Sequence, residues 1–285
     1  MKNFKQPIKK HAFTSKRATD RNPGEPRKKK GLGQHFLRKG SVVDNMIGQV
    51  TITPTTSVME IGCGDGFLTE QILKQTSCKQ LRCYEIDNEW LEFVKAKLRD
   101  KRLELTNRNI LEVDFEEELI TDAPWVLLSN LPYNITFPIL FRIQKSKHLF
   151  QEGVVMVQEE VAQKVVAKSG RSLSQVSFFL QHHFEWQLLE KIEPGAFSPP
   201  PKVYSRLLYF KPKTTLQEIP HEDAFWKFVK MCFKSPRQTL RNNLRTTHYA
   251  SHLDLSIPQF ALRSQQMSFA DFLTIWDSIK SWHDE

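Results

Sequence analysis

Residues 57–69, S-V-M-E-I-G-C-G-D-G-F-L-T, are the stretch that decides the fold of this chain. The apolar run at 57–61 predicts a buried strand, and residues 67–73 predict the helix that follows it. Between them, Gly62, Gly64 and Gly66 let the backbone turn tightly and let a ligand approach main-chain atoms. Two other interpretations stay open here: a tight turn without a ligand, and the related loop of dinucleotide-binding enzymes.

Strands and amphipathic helices alternate on the carboxyl side of this stretch. A helix is predicted around Trp90, Leu91, Val94 and Leu98, whose spacing places them on one face. This alternation predicts an α/β fold of the Rossmann-like type, with a mainly parallel sheet and helices on both faces. The further strands are predicted at about 81–86, 102–106, 125–129, 153–157 and 203–210.

The pattern becomes helical after the link K-P-K-T-T at 211–215. Apolar residues recur at helical intervals in 224–233 and again in 269–279. We therefore expect a small all-α domain after the sheet. The predicted organisation is a basic, disordered tail at 1–30, a catalytic domain at 31–212 and a helical domain at 213–285.

Composition excludes several classes of protein. No stretch approaches about 18 apolar residues, and the N-terminus lacks the apolar segment of a secretory signal, so we expect a soluble, cytoplasmic protein. The cysteines show neither C-x-x-C spacing nor a Cys/His cluster, so we expect reduced thiols and no metal site. These cysteines are Cys63, Cys78, Cys83 and Cys232.

The positive charge is concentrated at the N-terminus. Residues 1–40 contain 13 Lys or Arg against two acids, whereas the remainder is slightly acidic. A basic segment of this kind, with Lys28, Lys29 and Lys30 at its end, is suited to binding the phosphates of a nucleic acid. A solubilising or cloning-derived extension and a mitochondrial transit peptide are the alternatives.

Two acids lie at the end of the second predicted strand. Glu85 lies about 20 residues beyond the glycine loop, where a carboxylate can accept hydrogen bonds from ribose hydroxyls. Asp87 competes for the same role, and a solvated acid at a helix start is the other interpretation. This position alone does not distinguish a nicotinamide cofactor from S-adenosylmethionine.

The tetrapeptide N-L-P-Y at 130–133 distinguishes these cofactors. It follows the fourth predicted strand, at the edge where open α/β sheets bind ligands. The Asn130 side-chain carbonyl and the Leu131 backbone carbonyl can accept the two hydrogens of an aromatic amine, and Pro132 makes the turn rigid. Tyr133 offers a ring for an extruded base. With the E-x-G-x-G-x-G loop, this indicates a class I methyltransferase that acts through positioning rather than through a metal.

Six segments in order resemble the small-subunit ribosomal RNA adenine N6,N6-dimethyltransferase family. The resemblance covers the chain from Gly31 to the C-terminal helices. It implies transfer of two methyl groups from S-adenosylmethionine to N6 of each of two adjacent adenines near the 3′ end of small-subunit rRNA, by a monomer, during ribosome assembly. The segments are G-L-G-Q-H-F-L (31–37), E-I-G-C-G-D-G-F-L-T (60–69), Y-E-I-D (84–87), N-L-P-Y-N-I (130–135), F-S-P-P-P-K-V-Y-S (197–205) and R-Q-T-L-R-N-N-L (237–244).

The resemblance also implies residue roles. His35 stands where the family usually has Asn, and Asn109 stands where it usually has Asp beside the cofactor adenine. Asn109 keeps the hydrogen-bonding capacity but loses the charge that strengthens such a bond, so cofactor affinity is expected to be weaker. Phe197 would form a second aromatic wall with Tyr133, although its sequence context alone favours a core anchor. The positions implied to bind the cofactor are His35, Leu37, Gly62, Gly64, Glu85, Asn109 and Asn130.

Arg237 and Arg241 are expected one helical turn apart, where they would contact rRNA phosphates. A solvated helix face is the alternative. Three rival functions stay open: a large-subunit rRNA adenine methyltransferase of the macrolide-resistance type, a DNA adenine methyltransferase, and a nucleic-acid-binding assembly or transcription factor whose catalysis is dispensable. The segment at 237–244 favours the small subunit.

Overall fold

The computed structural model describes residues 25–29, 31, 33–254 and 256–279. Among these residues, no helix is long and apolar enough to cross a membrane. The strands are β1 (Phe36–Leu37), β2 (Ser57–Ile61), β3 (Gln80–Glu85), β4 (Leu103–Asn107), β5 (Trp125–Asn130), β6 (Phe150–Gln158), β7 (Phe184–Ile192), β8 (Phe197–Ser198) and β9 (Ser205–Pro212). The helices are α1 (Gly40–Gly48), α2 (Phe67–Gln75), α3 (Asn88–Lys97), α4 (Phe115–Leu119), α5 (Thr136–Lys145), α6 (Glu159–Val166), α7 (Gln175–His183), α8 (Glu222–Cys232), α9 (Leu240–Leu244) and α10 (Phe269–Ile279).

The main sheet has the strand order β4-β3-β2-β5-β6-β9-β7. Strands β2 to β6 are parallel, whereas β9 runs antiparallel to both β6 and β7. Helices cover both faces, which explains why every residue of β2 is buried. The predicted Rossmann-like α/β fold is confirmed.

Alternate residues of the central strands enter two separate cores. Val58 and Val126 face the side covered by α1, α2 and α3, while Met59 and Leu127 face the side covered by α4 to α7. Because side chains alternate along each strand, the two faces of the one sheet contribute to two separate cores. This burial fixes the strand register, because a shift by one residue would exchange the faces.

Strand β7 was not among the predicted strands. Its positions alternate poorly between buried and exposed, and its pairing with β9 shifts register between Leu188 and Lys191. An irregular edge strand of this kind carries a weak sequence pattern. The predicted strand at 203–210 is displaced to 205–212, and Val203 and Tyr204 before it are exposed.

The C-terminal helices enclose a third core, formed around Phe225, Phe228, Phe272 and Trp276. This core also includes Phe178 of α7. The C-terminal helices thus pack directly against a helix that also covers the sheet. The divisions at residues 30/31 and 212/213 stay predictions, and residues 25–29 contact the sheet domain rather than standing apart from it.

Candidate active site

The parallel strands end at one edge of the sheet, and the candidate site lies in the cleft along this edge. The loops after β2, β3, β4 and β5 all contribute to its lining, and the segment before β1 closes one side. This is the edge at which open parallel sheets bind ligands.

The glycine loop forms the floor of the cleft. Gly62, Gly64 and Gly66 all have positive φ angles, of 77°, 54° and 76°. A Cβ on Gly64 would lie 2.7 Å from the Phe36 ring, so no side chain fits at this position. Gly62 and Gly64 line the cleft without side chains, so a cofactor can lie directly over their backbone.

Glu85 is oriented for hydrogen bonding by two backbone amides. Gly64 N–H donates to one carboxylate oxygen (3.0 Å), and Asp87 N–H donates to the other (2.9 Å). Burial raises the pKa of the Glu85 carboxyl. The carboxylate lines the cleft, which fits the predicted place at a ribose.

Asp87 makes structural contacts and is not placed to bind a ribose. Its side chain accepts the Glu89 N–H that caps α3, the Lys29 ammonium at 2.7 Å and the Gln34 amide at 3.0 Å. These donors use its acceptor positions, and Asp87 does not line the cleft. Of the two competing acids, the geometry therefore favours Glu85.

The far end of the cleft suits a flat heterocycle. Ile86 is 52% exposed although it is a large aliphatic residue, and it lines the cleft together with Ile110. Asn109 also lines the cleft, but its carbonyl accepts Leu111 N–H (3.1 Å) and its amide donates to Glu112 (2.8 Å). Ile86 was missed because apolar side chains are expected in the core. The signal was an isoleucine placed directly after the strand-ending acid.

The N-L-P-Y segment begins at the last residue of β5. Asn130 donates through Nδ2 to the His35 carbonyl (2.9 Å), which directs the amide group and leaves its Oδ1 to accept. Leu131 N–H donates to Met156 O (3.1 Å), so the turn is anchored to β6. Both Asn130 and Leu131 line the cleft beside Pro132.

Tyr133 presents a fixed ring to the same cleft. Its hydroxyl shares a hydrogen bond of 2.6 Å with Ser205, and burial raises the pKa of the phenol, which keeps it neutral. The His35 ring stacks on it with centroids 5.7 Å apart and planes at 22°. The His35 Nδ1 lies 2.8 Å from the Pro199 carbonyl oxygen, which holds this ring in place.

The structure corrects the placement of two predicted site residues. Phe197 is 4% exposed and Leu37 is 3% exposed, and both side chains belong to a buried core cluster. They lie opposite each other in the register of β1 with β8, and neither residue lines the cleft. The core-anchor interpretation of Phe197 is therefore favoured, and the ring facing Tyr133 is that of His35.

The basic residues are placed differently from the prediction. Lys28 donates to the Ser198 carbonyl (3.0 Å) and hydroxyl (3.1 Å), and its desolvation lowers the pKa of the ammonium. Lys29 pairs with Asp87 and Glu89. Both lysines therefore tie the N-terminal segment to the domain. Lys30 and residues 1–24 of the predicted tail lie outside the described residues.

Arg237 and Arg241 do not share a helix. Arg237 lies in the turn that precedes α9, and the helix begins only after Thr239, whose hydroxyl caps it. The prediction that both arginines lie on one helix, one turn apart, is therefore wrong. Thr239, two residues after Arg237, is the N-cap, so Arg237 lies outside the helix. Both arginines are exposed.

Comparisons with known proteins agree with this architecture. A family model described as ribosomal RNA adenine dimethylase matches residues 26–280. The ribosomal RNA small subunit methyltransferase A of Mesomycoplasma hyopneumoniae is 33% identical over 260 residues, covering 89% of this chain and 96% of the relative. The protein of the same name from Syntrophotalea carbinolica is 36% identical over 220 residues, covering 76% and 82%.

Solved structures share the fold. A dimethyladenosine transferase from Plasmodium falciparum superimposes with a TM-score of 0.70 at 22% identity, covering 87% of this chain and 98% of that one. The 23S rRNA methyltransferase ErmE gives a TM-score of 0.62 at 20% identity, covering 88% and 100%.

Proposed function

The chain belongs to the ribosomal RNA adenine dimethylase family, and from this premise we propose how its cleft works and which adenosines it modifies. It is an S-adenosylmethionine-dependent ribosomal RNA adenine dimethyltransferase that acts on small-subunit rRNA. Its targets are two adjacent adenosines near the 3′ end of that rRNA, methylated during subunit assembly. We place this activity in the cytoplasm and in a monomer.

The cofactor is held along the edge formed by β2, β3 and β4. The Gly62–Gly64 backbone lies under its methionine part, Glu85 accepts from the ribose hydroxyls, and Ile86 and Ile110 enclose the adenine. Asn109 lies beside the adenine, but it is already paired with Glu112 and Leu111 N–H. When bound, S-adenosylmethionine supplies an electrophilic methyl group on its sulfonium.

The observation that carries the proposal is the fixed orientation of Asn130. Because Nδ2 donates to the His35 carbonyl, Oδ1 is left to accept one hydrogen of the target amine. The Leu131 carbonyl accepts the other, and the nitrogen lone pair is then directed at the methyl group. These groups act by positioning a weak nucleophile, so no strongly basic side chain is needed.

Tyr133 stacks on the extruded adenine. A base held between two rings needs roughly 7 Å between their planes, since each stacked contact takes about 3.5 Å. The centroids of His35 and Tyr133 are 5.7 Å apart, so His35 has to move for the base to enter between them. In the free enzyme His35 thus covers the face of Tyr133 that the base uses.

Transfer of labelled methyl groups from S-adenosylmethionine tests the proposal. Unmethylated small ribosomal subunits, large subunits and duplex DNA are assayed in parallel, followed by nucleoside analysis and mapping of the modified positions. We expect dimethyladenosine in small subunits alone, at two adjacent positions near the 3′ end. Label in large subunits alone would contradict the assignment, and binding without any transfer would support an assembly factor with dispensable catalysis.

The variant Asn130→Ala tests the residue roles. Removal of one preorganised hydrogen-bonding group lowers turnover by about 100-fold or more, whereas affinity for the small subunit is expected to stay within a few-fold. Asn45→Ala is the matched control, because Asn45 lies on α1 and pairs with Glu190 away from the cleft. An Asn130→Ala enzyme that methylates normally would overturn the mechanism.

A further inference from the structure

The end of α7 and the start of α8 bring two histidines and a glutamate together, far from the cleft in sequence. His183 Nε2 lies 3.4 Å from Glu222 Oε1, and His182 Nε2 lies 4.0 Å from the same oxygen. The potential ligand atoms of the three residues all lie within 4.8 Å of one another. The sequence showed no signal for this group, because 38 residues separate the two parts and no spaced Cys/His motif is present.

His183 is buried without a hydrogen-bond partner. Its side chain is 3% exposed, and neither Nδ1 nor Nε2 forms a hydrogen bond within the described residues. The ring is packed edge-on against Phe179, with Trp226 on another side. A buried imidazole left unpaired is unfavourable unless something binds its lone pair. Its Nε2 lies 3.4 Å from Glu222 Oε1, so a cation bound between the two groups would satisfy both.

We propose that His182, His183 and Glu222 bind one Zn²⁺-type transition-metal ion, with its fourth position open to water. Two imidazole nitrogens and one carboxylate oxygen are a known zinc donor set. With metal–ligand bonds near 2.0–2.1 Å, tetrahedral ligand atoms lie about 3.3 Å apart. The His183–Glu222 spacing already matches this value, and Glu222, whose side chain is 43% exposed, can approach His182.

A neighbouring residue holds the carboxylate ligand in place. Trp226 Nε1 donates to Glu222 Oε1 over 2.9 Å, and its ring centroid lies 5.6 Å from that of His182. Carboxylates that ligate metals are commonly oriented by such outer hydrogen bonds. Trp226 also places a fluorophore directly beside the site.

The donor atoms favour a transition metal over Mg²⁺ or Ca²⁺. Glu222 is the acid that faces the two imidazoles, whereas Lys147 and Lys213 act on them as positive charges. Mg²⁺ and Ca²⁺ are held mainly by oxygen ligands, whereas two of the three donors here are imidazole nitrogens. A neutral imidazole carries one N–H and one nitrogen with a free lone pair, and that lone pair is the donor that a borderline metal binds.

The ion would join two parts of the fold. His182 and His183 end α7, which contributes Leu180 to a core of the sheet domain, while Glu222 begins α8 of the C-terminal helices. Binding by ligands from both parts stabilises their packing, because the site exists only in the folded chain. The site lies outside the methyl-transfer cleft, so metal binding and methyl transfer are separable.

Cobalt and zinc titrations of the full chain test the proposal. Protein dialysed against a chelator is titrated with Co²⁺, followed by the visible absorption of the bound ion and by quenching of the tryptophan fluorescence, and Zn²⁺ is then added in competition. We expect one equivalent per chain, displacement by Zn²⁺, and a rise of several degrees in Tm with Zn²⁺. Glu222→Gln and His183→Gln should weaken binding at least tenfold and abolish the rise.

The control variant is His148→Ala, since His148 is an exposed histidine that pairs with Glu116 elsewhere on the surface. It should bind metal as the unchanged protein does. Glu222→Gln keeps an acceptor for the Trp226 indole, so its fold, checked by circular dichroism and by methyl transfer, should be retained. Metal binding that is equal in all variants, or weak and non-stoichiometric in the unchanged protein, would overturn the proposal.

Discussion

Glu60 should make the stability of this protein fall as pH rises. Its side chain lies within β2, is 1% exposed, and accepts hydrogen bonds from Thr69 Oγ1 (2.7 Å) and from Cys83 Sγ. Desolvation raises the pKa of this carboxyl from 4.5 to about 7. Between these two pH values, the carboxyl is ionised in the unfolded chain and protonated in the folded one.

The sign and size of the effect follow from proton linkage. Below pH 4.5 both states are protonated and the effect vanishes; above pH 7 both are ionised and the folded state carries the full penalty. A shift of this size corresponds to about 3 kcal/mol at 1.36 kcal/mol per pH unit. Glu60→Gln cannot ionise and can still accept from Thr69. It should match the unchanged protein near pH 4.5 and exceed its free energy of unfolding by up to about 3 kcal/mol at pH 8.

Urea unfolding at pH 5, 6, 7 and 8, followed by tryptophan fluorescence and circular dichroism, measures the difference between the two proteins. Other titrating groups are present in both, so their contributions cancel to first order in this difference. A difference that rises through this window supports a buried, neutral Glu60. If the difference stays constant from pH 5 to 8, Glu60 does not change its ionisation on folding in this range and the reasoning is refuted.

Three further predictions concern the cleft and its supports. Gly64→Ala introduces a Cβ 2.7 Å from Phe36 in a left-handed backbone conformation. The affinity for S-adenosylmethionine, measured by calorimetry, should therefore fall more than tenfold. Gly48→Ala is the control, because Gly48 has open space around it, and it should bind the cofactor normally. Tyr133→Phe removes one hydrogen bond and keeps the ring, so methyl transfer should stay within a few-fold, whereas Tyr133→Ala loses a stacking contact of about 1–3 kcal/mol and should lower it 5- to 150-fold. Asp87→Ala removes the cap of α3 and should lower the free energy of urea unfolding by about 1–2 kcal/mol; a stability equal to that of the unchanged protein would contradict the capping role.

The sequence by itself determined the parallel part of the sheet. The apolar runs at 57–61 and 125–129 are strands buried on both faces, and the loops that follow them meet at one edge. Such features can be predicted because they depend on residues that are close in the sequence. They are the periodicity of apolar residues, the spacing of glycines and the residues that end a strand. For the same reason, the sequence alone places Gly62, Glu85 and Asn130 at one edge of the sheet.

Only the tertiary structure decided how side chains are shared between the core and the cleft. Phe197 packs in the core opposite Leu37 of β1, and the His35 ring lies opposite Tyr133. These outcomes depend on strand pairings formed between segments more than 150 residues apart in the sequence.

The same physical reason applies to charges and potential ligands. Asp87 could be separated from Glu85 only when its contacts with the N-terminal segment were visible, and Lys29 proved to be one of those contacts. His183 and Glu222 meet because α8 packs against the end of α7, a contact between two helices that each show only an ordinary amphipathic pattern. Local pattern thus determined which elements form, whereas long-range packing decided which side chains they bring together.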